Sequence, residues 1–580
     1  MSVNTQRLTI LAQDPSVRSK GALVLAQVDV PSESLAPGPM GYRVKVVDFD
    51  ATANRLYSPR FYDYSPDGQI VDPYALPTTP LNATARRAFD DKLLADPNFH
   101  AQHVYAIVMR TLARFEYALG RRTSWSFSGH QLHVAPHAFC EANAYYSEGD
   151  RALLFGYFEG KRQKTIFTCL SHDIVAHETT HALLDGLRDR YTDPSGPDQA
   201  GFHEGFSDVV ALLSVFSLRS IVELGLTGGK APIKTLNGLR LISGDHLSAD
   251  SIADSILFGL GKEFGQEMDG VRRNALRRSV KLRPSVKYLK DPAYAEPHAR
   301  GEIFAAVLLW TMLQLWVSRI EQLGTFGRNR YNLDMVIDEG VKVADQLLSI
   351  VIRALDYCPP VDLDFADYVA ALLTVDREVA PDDTRFNYRD VIVDTFNRYG
   401  IVVPDAETDE TGCWHAFPDN EQIVYNKTNF ESMLRDKEEV FRFIWENRTI
   451  LGIDDRGYTE VISVRPSTRF GPDGFMLRET ICEYIQIVEL FASELPSALH
   501  IERPEGMSTR QRVTAYGGGI LVFDQYGRIK YHIVRRLADT LRQSRRLEYL
   551  WTTGALDQSR DNRNHFAAVH RERAQIQEGA

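Results

Sequence analysis

Apolar positions along the chain recur in blocks of helical and strand spacing. Between residues 98 and 119 they fall at Val104, Ile107, Val108, Leu112, Phe115 and Leu119, three or four apart, which predicts an amphipathic helix. Gly120 directly after it reads as the stop signal. Strand-like runs are predicted at 42–49, 131–134 and 152–158, and helical patterns dominate from 173 to 399. The apolar run 303–317 is broken by Thr311 and Gln314. It falls short of the about 18 uninterrupted apolar residues of a membrane span, so a buried core helix is expected. Residues 403–421 are acidic and turn-rich and read as a linker. Beyond them, helices are predicted at 431–447 and 476–492. A hairpin is predicted over 512–532, turning on Asp524-Gln525-Tyr526-Gly527. Gly517, Gly518 and Gly519 sit inside that strand pattern, which predicts a bulge or a close backbone approach.

These patterns divide the chain in three. Residues 1–95, rich in Pro, Asp and Ser, read as an extended segment or small subdomain. Residues 96–403 form the main domain, and 404–580 an α+β domain without recognisable chemistry. Composition adds little to this picture: 44% hydrophobic and 25% charged residues exclude a mostly disordered, collagen-like or coiled-coil chain. With 66 Lys plus Arg against 77 Asp plus Glu, the net charge of −11 argues against a dedicated nucleic-acid binder. The Arg-rich tail from Arg535 to Arg573 is interleaved with acids and reads as a solvated face. The only apolar run near the N-terminus, 8–12, is too short for a signal-peptide core. The five cysteines are scattered and odd in number, so no disulfide framework is implied. A cytoplasmic location without membrane partners is expected, with non-classical export as the alternative.

The chemistry concentrates in Ser171-His172-Asp173-Ile174-Val175-Ala176-His177-Glu178-Thr179-Thr180-His181. On a helix, His177 and His181 project from one face and can reach one ion. Glu178, one residue past the first, can reach a water on that ion. A catalytic zinc takes three protein ligands and keeps one position open. Downstream, His203-Glu204-Gly205-Phe206-Ser207-Asp208 opens a second apolar-periodic stretch, where Glu204 can complete the set. Asp208 lies one turn further on the same face, placed to accept a hydrogen bond from a ligand imidazole. His133, His137 and His172 fall in no motif and read as ordinary core or surface histidines.

With these residues in place, the stretch from about 96 to 403 resembles thermolysin-like metallopeptidases, the gluzincin class with a Glu as third zinc ligand. Asn143-Ala144-Tyr145-Tyr146 is similar to that family's substrate-binding strand segment. Tyr191 stands at about the spacing of its catalytic tyrosine. The segment from Pro297-His298 resembles the one carrying its catalytic histidine, and Arg277-Arg278 the one carrying an active-site arginine. The resemblance implies an α+β fold with a two-lobed catalytic domain: an α+β lobe with an edge strand, then a mostly helical lobe. It implies one zinc ion on His177, His181 and Glu204. Glu178 would be the general base, with His298 and Tyr191 stabilising the oxyanion. Asn143, Ala144 and Arg277 would hold an extended protein or peptide substrate for endopeptidase cleavage.

The chain also departs from the family. No export signal or usual pro-segment is recognisable. Asp173 stands at a calcium position, but its expected carboxylate partner is Val215, so structural calcium is not expected. The Gly-x-Met-Glu-Asn segment of aminopeptidase-type gluzincins is missing. The alternative reading is a restrained metallopeptidase-like scaffold whose C-terminal domain binds or senses. Restraint would come from a regulatory partner, or from the N-terminal segment or C-terminal domain blocking the cleft.

Overall fold

A computed structural model of the chain describes residues 4–160, 164–228, 233–259, 275–418, 421–470 and 476–557. The long helix Pro97–Leu119 forms where the apolar spacing predicts it. Asp96 caps its start by accepting from the backbone of Asn98, and Gly120 ends it in the left-handed conformation, φ 67°. A Cβ on Gly120 would also meet the carbonyl oxygen of Thr468 at 2.5 Å, so the C-terminal region presses on this turn.

Residues ahead of 96 share the main core. Strands Thr5–Leu11 and Leu25–Pro31 pair antiparallel, with Leu8 and Ile10 fully buried in the main core. The side chain of Gln102 on the long helix donates to the carbonyl of Thr9. Strand Val44–Val46 runs parallel to Leu132–Phe139 inside a mixed sheet. That sheet continues through Ala152–Glu159 to Thr165–Phe167. The short strand Ala144–Ser147 pairs antiparallel with Ala152–Glu159 off this path.

The helical part follows. The helix His172–Leu187, here the motif helix, packs against Pro197–Phe216, here the ligand helix, which packs in turn against the core helix Pro297–Glu321. Glycines set the last crossing: a Cβ on Gly205 would meet the carbonyl oxygen of Gly301 at 2.7 Å, and one on Gly201 that of Pro297 at 2.8 Å. The core helix is long and apolar enough to cross a membrane, but 83% of its most apolar window is buried inside the protein, in accord with the core helix read at 303–317. A small sheet of Lys234–Leu236, Leu239–Ser243 and Arg330–Asn332 interrupts the otherwise helical stretch. With 43% helix and 22% strand, the chain is α+β as expected.

After residue 403 the structure holds part of the expected pattern and departs from the rest. The hairpin exists: Arg512–Phe523 pairs with Ile529–Arg535, and Gly527 turns the chain at φ 82°. Gly518 makes the close approach expected of it, since a Cβ there would meet the carbonyl oxygen of Tyr484 at 2.4 Å. The helix expected at 476–492 is instead the strand Met476–Phe491, second in a four-stranded antiparallel sheet that begins with Tyr458–Phe470. It is a central strand buried on both faces, so the alternation that marks a half-buried strand is absent. Ile481, Ile520, Val522 and Ile533 join the main core, while Cys482, Leu521 and Phe523 form a second core with Val440, Phe443 and Ile444. The helix predicted at 431–447 is split into Phe430–Met433 and Lys437–Glu446, with Asp436 capping the second piece.

The expected linker is packed down. Trp414 is buried, its indole N–H donating to the carbonyl of Tyr357 and its backbone N–H to Thr374 Oγ1. Buried ion pairs fasten the C-terminal sheet behind the helices. Asp356 binds Arg121 and Arg469 at 2.6 and 2.7 Å, Glu479 binds Arg469 and Lys530, and Glu483 binds Arg188.

Candidate metal centre

The motif helix is buried along most of its length, so its two histidines are fixed by packing as well as by spacing. The rings of His177 and His181 meet edge to face with centroids 4.4 Å apart. Glu204 reaches them from the ligand helix at the level where Gly201 and Gly205 let the core helix come close. Its Oε1 lies 3.3 Å from His181 Nε2 and its Oε2 3.6 Å from His177 Nε2. The three ligand atoms all lie within 4.8 Å of one another, and the three residues are buried. Two imidazoles and a carboxylate are the donor set of a three-ligand catalytic zinc site, so the residues present fit that ion.

The far nitrogens are held as well. His177 Nδ1 lies 2.9 Å from Asp208 Oδ1, the contact expected from spacing. His181 Nδ1 lies 2.7 Å from His203 Nδ1 and 3.3 Å from Ser207 Oγ. These two positioning residues were not foreseen. The signal was available, because 203 and 207 repeat one residue earlier the one-turn spacing of 204 and 208. Burial alone would lower the pKa of His177, but its bonds to Asp208 and Glu204 outweigh burial and lift it to about 10.

Glu178 is 1% exposed, and its Oε2 accepts the backbone N–H of Tyr146 at 3.1 Å. That bond brings strand Ala144–Ser147 to Glu178. Among the described strands this one pairs only with Ala152–Glu159, so it is an edge strand beside the motif helix. Asn143, at its start, is buried. Its Oδ1 accepts the N–H of Ala144, and its Nδ2 meets no acceptor among the described residues. The Tyr146 hydroxyl lies 3.2 Å from Asp185 on the motif helix, and burial pushes the Asp185 carboxyl up to about 6.

His298 opens the core helix. Its Nδ1 lies 2.5 Å from Glu296 Oε1, and its Nε2 is buried with no partner among the described residues. Tyr191 is placed otherwise than expected. It is fully buried against Phe202, and its hydroxyl donates to the carbonyl of Pro359 at 2.7 Å, so that hydroxyl is already committed. Arg277 lies in helix Ala275–Lys281, with its side chain outside the described residues. Its neighbour Arg278 pairs with Glu302, one turn beyond His298. The Asp173 carboxylate accepts from Ser171 Oγ and the Ile174 N–H, and Val215 is buried.

Compared with sequence profiles of protein families, the chain matches none, and it matches no curated protein.

Proposed function

We propose that the chain is a zinc-dependent endopeptidase of thermolysin-like type, cutting extended polypeptide. One observation carries this reading. A buried His177–His181–Glu204 donor set stands beside a glutamate whose carboxylate is tied to an edge strand. When bound, the ion would polarise the scissile carbonyl and acidify a water.

The chain's own residues do the rest. Substrate would lie extended along the strand Ala144–Ser147, across the motif helix. The N–H of Tyr146 orients the Glu178 carboxylate, which takes a proton from the attacking water and passes it to the leaving amine. The buried Nε2 of His298 is the group to hydrogen-bond the developing oxyanion, with its other nitrogen steadied by Glu296. Tyr191 has no part in this, because its hydroxyl is bound to Pro359. Asp208 and His203 keep both ligand imidazoles in a fixed orientation.

The test is digestion of an unfolded protein by the purified chain, with products read by mass spectrometry. Internal cleavage that stops on chelation and returns with zinc is expected. Stepwise removal from the substrate N-terminus, or equal cleavage by Glu178→Gln, would refute the reading.

A further inference from the structure

Among the described residues a second group of three metal-capable side chains lies within 4.8 Å: His100, His137 and Cys169, all buried. His100 comes from the long helix, His137 from strand Leu132–Phe139, and Cys169 from the turn Thr168–Leu170 that precedes the motif helix. Each imidazole is anchored on its outer nitrogen. His100 Nε2 lies 3.1 Å from the carbonyl oxygen of Leu94, and a carbonyl only accepts, so this nitrogen donates. His137 Nδ1 lies 2.7 Å from Asp48 Oδ2, while Asp48 Oδ1 accepts the His137 backbone N–H, so this nitrogen donates too.

A neutral imidazole carries one N–H, so the inner nitrogens, His100 Nδ1 and His137 Nε2, are both left with lone pairs. They face each other at 2.8 Å. Two acceptors at that distance repel unless something electrophilic lies between them. A tetrahedral ion with bonds of about 2.0–2.1 Å needs its nitrogens about 3.3 Å apart, so opening the pair by about half an ångström admits it. Imidazoles tied at the far nitrogen to a carboxylate and a carbonyl are in the arrangement metal-bound histidines adopt. The Cys169 sulfur makes the set two nitrogens and a sulfur, which selects a zinc-type ion over magnesium or calcium.

We propose that His100, His137 and Cys169 form a second, buried metal site for a zinc-type divalent ion. It fastens the long helix and the sheet to the turn that starts the motif helix. Asp48, held against His137, ties in the N-terminal segment. The inference stands apart from the peptidase reading and does not depend on any activity.

The test uses the full chain, stripped of metal and reloaded with cobalt(II). Two cobalt ions per chain are expected, together with a near-ultraviolet thiolate-to-cobalt band, which the His177–His181–Glu204 site cannot give because it has no sulfur. Cys169→Ser should remove the band and one equivalent, and His181→Ala should leave the band in place. X-ray absorption at the zinc edge of the unmodified chain needs no variant, and should show sulfur in the average coordination shell. One equivalent with no band would overturn the proposal. So would a band that survives Cys169→Ser, or a shell of nitrogen and oxygen alone.

Discussion

Two histidine clusters in this chain invite comparison. Each brings three metal-capable side chains within 4.8 Å in a buried setting, and each holds its imidazoles from behind. In the first, both histidines lie on one helix and the third donor comes from the next helix. Glu178 stands beside the donors, in contact with an edge strand. In the second, the donors come from a helix, a strand and a turn, and the neighbouring carboxylate, Asp48, sits behind His137. On the readings proposed above, the first would act on something laid against it and the second would hold elements together. What separates them is the position of the nearby carboxylate relative to the donors.

The sharpest way to break this comparison is Glu178→Gln. Peptide hydrolysis should fall by about 10²–10⁴-fold while metal content by elemental analysis stays unchanged. Loss of metal with the activity would make Glu178 a structural part of the cluster instead.

Next comes the support behind the helices. Arg469→Met leaves Asp356 and Glu479 short of a buried partner and should cost about 3–5 kcal/mol in chemical denaturation. Metal affinity at both clusters should stay unchanged in the folded variant, since this network shares no residue with either.

The positioning carboxylates should then behave alike but separately. Asp208→Asn should weaken metal binding at the first cluster by about 10–100-fold, and Asp48→Asn at the second, each sparing the other in competitive chelator titrations. Cross-effects would mean that the motif helix couples the two.

The smallest effect concerns Asp185 on the motif helix, which accepts from the Tyr146 hydroxyl. Its carboxyl is raised from 3.8 to about 6 in the folded chain. A raised acid contributes most stability below its unfolded value and loses it as pH rises through the folded value. Asp185→Asn should therefore gain on the parent chain between pH 4 and 7, by on the order of 1 kcal/mol, in thermal melts at the two pH values.

How far each region could be read follows from the range of its contacts. His177, Glu178 and His181 lie within five residues, and helical spacing alone puts the two histidines on one face. Glu204 and Asp208 follow by the same rule on the next helix. Gly120 and the turn at Gly527 were legible because a left-handed cap and a tight turn are local demands. The contact of the Tyr191 hydroxyl with the Pro359 carbonyl was not legible, because spacing says how far a residue lies along the chain, not which carbonyl its hydroxyl finds. Strand Met476–Phe491 was misread because a segment buried on both faces loses its alternation.

The sequence by itself determined that His177, His181 and Glu204 can share one metal-capable cluster, that a core helix lies at 303–317 and that the chain is mixed α+β, because each rests on periodicity within one or two helices. Only the tertiary structure decided that residues ahead of 96 share the main core and that residues 403–421 are packed down through Trp414. It alone brought His100, His137, Cys169 and Asp48 together. These contacts join residues tens to hundreds of positions apart, and no local period in the chain encodes which distant partners a folded core will bring into touch.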